Sequence, residues 1–373
     1  MALDLGLLLR RSGGGRGVTT AYLNKVGIAV PDNEVHEAFI GFAANLLPDR
    51  GSRLLFERMV KRSQIARRYS CLTAPNLGDD EALDGEGFYR LGQFPSTAQR
   101  MSRYEAEAPV LGARAVERLR LGEGAETITH LVVTSCTGFF APGIDLELVT
   151  RCGLKLSVER TLIGFMGCHA AINALRIAHH IVRSSPKSRV LVVCLELCTL
   201  HFQETDDLDR LLTFLLFGDG CAAALVSADP IGLALDGFHA ELVQKAAEQI
   251  TWNIRDRGFD MMLSGQVPMT ISGALRSNSD RVLAGRTSDA IDLWAIHPGG
   301  RSILDAVEGA FDLEQSALLA SRAVLRDYGN MSSATILFVL ERIMRRNLPR
   351  GTSGCAMAFG PGLTAETMLF RTA

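Results

Sequence analysis

The sequence has no CxxC pair, no short repeat or low-complexity tract, almost no net charge, and no apolar run long enough to cross a bilayer. Each absence removes a class of function. Its eight cysteines (Cys71, Cys136, Cys152, Cys168, Cys194, Cys198, Cys221 and Cys355) are scattered, several inside apolar runs such as VLVVCLELC. They read as reduced thiols of a cytoplasmic protein, neither a disulfide framework nor a zinc site. Lys+Arg 39 against Asp+Glu 41 leaves a formal charge of -2, which gives nucleic acid or an anionic membrane nothing to hold. A membrane-spanning helix needs roughly 18 uncharged apolar residues in a row, and no segment supplies them. In MALDLGLLLRRSGGGRG, Asp4 precedes the apolar run and the arginines follow it, the reverse of a secretory signal. Residues 1–18 read as a flexible leader.

What is present is core material. Apolar residues make up 47% of the 373 and charged residues 21%, enough for two domains or two halves around a shared core. Strand-like runs lie at 25–30, 129–136, 189–197 and 221–228, with helical periodicity at 104–120, 145–153 and 168–183. After residue 230 the pattern starts again, with strands expected at 231–241, 290–298, 335–341 and 355–362. Helices are expected at 300–310, at 315–326 and after 330. The expectation is an α/β fold in two βα-rich halves, 19–230 and 231–373.

Three residues far apart in this order carry the chemistry. Cys168 in GFMGCHAAINALRIA precedes a helix whose unpaired N–H groups favour a thiolate, with Gly164 and Gly167 allowing a sharp turn. His297 in LWAIHPGGRS stands where a strand ends on a glycine turn, the place where sites form in α/β folds. Asn330 in DYGNMSSATI opens another helix and, taken alone, reads as a cap. A cysteine nucleophile with an imidazole and a carboxamide can activate a thiol and bind a thioester oxygen, which points to acyl transfer through a covalent thioester.

These segments, together with Ala358-Phe359-Gly360-Pro361-Gly362, resemble the type III polyketide synthases, the chalcone-synthase-like branch of the thiolase superfamily, over about residues 22 to 370. The last motif is one substitution from the family's GFGPG. The resemblance implies a thiolase-like fold layered α-β-α-β-α, a homodimer, and condensation of an acyl-CoA starter with malonyl-CoA, without metal or redox cofactor. It implies that Cys168 is acylated while His297 and Asn330 bind the malonyl thioester oxygen and drive decarboxylation. Fixed donors at a developing enolate are worth about 3 kcal/mol each.

By the same resemblance Phe217 is a gate between the CoA tunnel and the cavity, and Met261 stands at the second gate. Cys136, Thr137, Glu196, Cys198, His201 and Ser332 are expected to line the cavity, Cys136 where a threonine is usual. Glu196, Cys136 and Ser332 hold positions that in some relatives keep a water for aldol-type ring closure. Arg58 and Arg62 match residues that hold CoA phosphates, with Leu55 at a third, normally basic, position. Ala141 replaces a methionine that reaches into the partner's cavity, and the smaller residue points to a bacterial enzyme that takes long acyl chains to pyrone or resorcinol products.

Two other enzyme readings use the same trio. A β-ketoacyl-acyl-carrier-protein synthase III-like enzyme would condense once, and a cysteine peptidase would cleave amides. The glycine-rich terminal motif and the Phe217-Gly218-Asp219-Gly220 turn favour the polyketide branch. Cys194, Cys198 and His201 are spaced like metal ligands, but their place in and after an apolar strand does not converge them.

Overall fold

The computed structural model describes residues 19–76 and 79–373; the leader at 1–18 lies outside them. In the first half, β1 (Ala21–Ala29), β4 (His130–Ser135), β5 (Glu159–Gly164), β6 (Val190–Leu197) and β7 (Asp219–Ser227) form the main strands. Two short strands, β2 (Asn33–Glu34) and β3 (Tyr69–Ser70), pair with each other. The helices are α1 (His36–Leu46), α2 (Arg50–Ser63), α3 (Thr97–Arg118), α4 (Ile144–Arg151), α5 (Ala170–Ser184) and α6 (Leu208–Leu216). The second half has β8 (Leu233–Leu242), the hairpin β9 (Ile250–Arg255) and β10 (Gly258–Leu263), then β11 (Leu293–Ile296), β12 (Ser353–Gly360) and β13 (Thr364–Thr372). Its helices are α7 (Val267–Ser277), α8 (Ser279–Val282), α9 (Arg301–Phe311), α10 (Leu319–Tyr328) and α11 (Thr335–Met344).

Nine strands join in the order β11-β12-β13-β8-β1-β7-β6-β4-β5. The two halves meet at β1 and β8 through only three pairs, Ala21↔Leu235 to Leu23↔Leu233. Because side chains alternate along a strand, each half serves two cores. Along β6, Leu191, Val193 and Leu195 face α3 and α4, while Val190, Val192 and Cys194 face α5 and α11. Along β12, Ala356 and Ala358 face that same central core, and Cys355, Met357 and Phe359 face α7 and α9. The result is helix, sheet, paired central helices, sheet, helix, the expected layered α/β fold.

One expected element is corrected. The run at 335–341, TILFVLE, read as a strand, is the start of α11. Thr335, Ile336, Leu337, Phe338, Val339 and Leu340 are all buried between the two sheet halves, so the helix has no polar stripe and its sequence lacks a 3.6-residue signature. Strands β5 and β13 and the β9–β10 hairpin were not anticipated. β5 is an edge strand with mostly exposed residues and so has no apolar alternation.

Candidate active site

Cys168 is presented by a bent chain. β5 ends at Gly164, Phe165 takes a φ of 55° and Gly167 one of 75°, and the short turn Gly167–His169 leads into α5. A Cβ on Gly167 would stand 2.2 Å from Cδ of Pro361, so only glycine lets the terminal Gly360-Pro361-Gly362 loop close against the nucleophile. Cys168 is half-buried. Burial pushes its thiol up to about 11, while the side chains of Ser332 and Asn330 pull the other way. Desolvation thus works against the thiolate that the turn's N–H groups favour.

His297 follows β11 and is fixed by its backbone N–H donating to Met357 O at 2.8 Å. Its ring is buried and neither nitrogen has a partner. Burial, and then the neighbouring His169, lowers it to about 3, so the imidazole is neutral with one free donor and one free acceptor.

Asn330 is locked in place by backbone. Its N–H donates to Leu216 O at 2.8 Å, and its carbonyl accepts from Gly218 N at 3.0 Å, tying it to Phe217. Gly329 before it has a φ of 70° and sits so close that a Cβ would lie 2.7 Å from Leu216 O. The Asn330 side chain is not the helix cap expected from it alone: the N-cap position before the turn at Ser332 is Met331, and Asn330 Oδ1 closes a local turn by accepting from Ser332 N at 2.8 Å. Nδ2 donates one hydrogen to Gly299 O at 3.2 Å, beside the His297 turn, and keeps a second for a ligand.

Cys168, His297 and Asn330 line one pocket of about 810 Å3, counting the space at its mouth. Of the other expected lining residues, Cys136, Thr137, Cys198, Phe217, Met261 and Ser332 are on its wall. Glu196 and His201 are not; they stand one layer behind. The buried Glu196 carboxylate accepts from Cys136 N at 3.0 Å, Cys136 Sγ at 3.1 Å, Thr137 Oγ1 at 2.8 Å and Ser333 Oγ. Desolvation raises its pKa, and those donors oppose the rise. Cys136 Sγ also lies 3.5 Å from Ser332 Oγ, so Glu196, Cys136 and Ser332 form one connected network. His201 donates from Nε2 to Thr137 O at 2.7 Å, accepts at Nδ1 from Phe259 N at 3.0 Å and stacks on Phe259, which makes it a brace. Cys194 faces the central core, away from His201.

Arg58 and Arg62 are exposed on α2 with no acidic partner among the described residues, and Arg301 of α9 reaches Arg62 O at 3.4 Å. That contact sets Arg62 near the His297 turn. Leu55 is 45% exposed on the same helix. Ala141 is exposed beside Phe139, which stacks on Phe165. Trp252, Leu263, Val267 and Ile271, which supply much of the apolar wall, carried no signal in the sequence. They come from the unanticipated hairpin and the helix after it, and Trp252 is aimed by its Nε1–H donating to Cys136 O at 2.7 Å.

Residues 13–230 match the chalcone and stilbene synthases, N-terminal domain, and residues 235–373 match the C-terminal domain of the same family. The chain belongs to the chalcone and stilbene synthase family. It is thus a type III polyketide synthase, and neither the single-condensation nor the peptidase reading is favoured. Similar members include a bisdemethoxycurcumin synthase of Oryza sativa subsp. japonica, 34% identical over 84% of this chain and 82% of the relative. Another is an alpha-pyrone synthesis polyketide synthase-like protein, Pks18, of Mycobacterium tuberculosis, 33% identical over 88% of this chain and 84% of that one. Among solved structures, PKS-I from the brown alga Ectocarpus siliculosus superposes with a TM-score of 0.86 at 29% identity, covering 96% of this chain and all of that one. The C-terminal type III polyketide synthase domain of Steely1, a type I/III hybrid from Dictyostelium, gives 0.85 at 26% identity, over 95% and 99%.

Proposed function

We propose that Cys168 carries the starter as a thioester and that His297 and Asn330 form the oxyanion site for malonyl-CoA. The observation that supports this most is the unpartnered imidazole of His297, buried on the same pocket as the thiol and as Asn330. With the resting thiol neutral, attack on the acyl-CoA carbonyl and transfer of the thiol proton to the imidazole run together. The CoA thiolate leaves and takes that proton from His297. Malonyl-CoA then places its thioester oxygen against the N–H groups of His297 and Asn330. Loss of carbon dioxide leaves an enolate held by those donors. Its carbon attacks the Cys168 thioester, the Cys168 sulfur leaves and regains a proton, and the chain is two carbons longer on CoA. The grown chain returns to Cys168 for each further round.

Arg58 and Arg62, exposed on α2 with no acidic partner among the described residues, suit the CoA phosphates. Phe217, tied to Asn330, gates the pocket. The apolar wall of Trp252, Met261, Leu263 and Ile271 fits a long acyl starter, each buried methylene adding about 0.8 kcal/mol. The Glu196–Cys136–Ser332 network sits where ring closure is directed, and pyrone or resorcinol products fit it. Exposed Phe139, Leu162 and Met166 around edge strand β5 favour a homodimer. Residues 19–230 and 231–373 then act as the two units of each subunit, one bearing Cys168 and the other His297 and Asn330. Eight free cysteines and CoA thioester substrates fit the cytoplasm.

Incubation with malonyl-CoA and acyl-CoAs of increasing length tests this reading by product mass. Multiply extended, cyclised products from medium and long starters support it. Products extended once only, or none, contradict it.

A further inference from the structure

Beyond Phe217 lies a second cavity, of about 450 Å3 counting the open space at its mouth. Cys198, Phe214 and Phe217 line both it and the reaction pocket, so three side chains form the partition between them. The second wall carries Arg68, which is 2% exposed. Its guanidinium is anchored at two of its nitrogens: Nε donates to His36 Nδ1 at 2.9 Å, and Nη1 donates to Phe214 O at 3.1 Å and Phe217 O at 2.7 Å. The group lies over the Phe39 ring, 4.5 Å from its centre. Nη2 has no partner.

Nearby acids do not fill that vacancy. Glu34 accepts from the backbone N–H of His36 and Arg68, Asp219 from Cys71 N and Thr199, and Asp84, itself on the cavity wall, from Glu86, Phe88 and Tyr89 N. Burial pulls Arg68 down to about 9, which leaves it charged at neutral pH. The fields of Glu34 and Asp219 offset only part of the cost of this buried cation with a free donor, and Arg68 lines the cavity, where an oxygen anion would pair it. A purely alkyl chain would fill the space and leave Nη2 unpaired.

We propose that the second cavity receives the far end of the starter chain and that Arg68 Nη2 binds a carboxylate there, so that the enzyme accepts ω-carboxyacyl thioesters, the monothioesters of linear dicarboxylic acids. This rests on the reading that Cys168 holds the starter. The chain passes the partition when Phe217 or Phe214 turns, and the chain length at which the carboxylate meets Arg68 reports the span between the two sites.

The test is the rate constant kcat/KM for acylation of Cys168, read by protein mass, for methyl-ended acyl-CoAs and their ω-carboxy counterparts across a series of lengths. At one length the carboxy-ended starter should lead its methyl-ended equal by about tenfold, the scale of one charge-assisted hydrogen bond. Leu83→Trp, filling the second cavity from its opposite wall, should erase that lead while acetyl loading continues. Arg68→Gln should do the same, and because Arg68 also holds two carbonyls, its effect is read as the ratio of the two starters' rates. Methyl-ended starters leading at every length in the unaltered enzyme would overturn this proposal alone. Failure of every starter to load Cys168 would overturn the acyl-enzyme reading, and this proposal with it.

Discussion

Cys136 and Cys168 face the same pocket and differ in what surrounds the sulfur. Burial raises both thiols. Cys136 is 3% exposed, and its Sγ donates to Glu196 Oε1 at 3.1 Å, so the nearby carboxylate holds the proton in place and repels a thiolate. Cys168 is more open, stands on a turn made by Phe165 and Gly167, and has Ser332 and Asn330 to lower its pKa. The two thiols thus differ both in exposure and in neighbours, and both differences favour Cys168 as the proposed nucleophile.

The largest effect that can break this comparison comes from Cys168→Ala. It should lower polyketide formation by at least about 10^4-fold, as removal of a covalent nucleophile does, whereas Cys136→Ser keeps most of the activity. Equal losses in the two variants, measured as product formed from one starter, would contradict it. Next in size is Asn330→Ala, which should still load the starter but release carbon dioxide from malonyl-CoA about a hundredfold more slowly. Unchanged release would remove Asn330 from the oxyanion site.

Acidity sharpens the comparison. With Cys168 raised to about 11, its thiolate fraction is small near neutral pH and grows as pH rises toward that value. Alkylation of Cys168 by iodoacetamide should therefore accelerate by about tenfold per pH unit through the neutral range. A plateau by pH 7 would mean that His297 already holds the proton. Because His297 is lowered to about 3, decarboxylation by Cys168→Ala should stay level as pH falls from about 8 to 5. The smallest expected effect is a few-fold shift toward shorter starters in Met261→Trp, since Met261 lies on the apolar wall and each lost methylene contact is worth about 0.8 kcal/mol.

The parts legible in the sequence were those with local signals. β6 and β7 read as unbroken apolar runs because both faces are covered, Cys168 and Asn330 stood out because each follows a glycine that the turn requires, and His297 because it ends an apolar strand before Pro298-Gly299-Gly300. α11 was misread because a helix enclosed by two sheets shows no polar face. The turn's N–H groups that favour a Cys168 thiolate are visible in sequence, whereas the desolvation that opposes it is not. Glu196 and His201 were expected in the cavity from the family resemblance, yet the Glu196 bonds to Cys136 and Thr137 and the His201 contacts to Thr137 and Phe259 hold them behind the wall. Arg68 offered no signal, since its meaning depends on the carbonyls of Phe214 and Phe217 and on a cavity between segments of the first half remote in sequence.

The most direct measurement of the central claim is peptide mass mapping after a brief exposure to an acyl-CoA without malonyl-CoA. The acyl group should sit on the peptide bearing Cys168 alone and be absent from Cys168→Ala. An acyl group on Cys136 or Cys198, or one retained in Cys168→Ala, would contradict it.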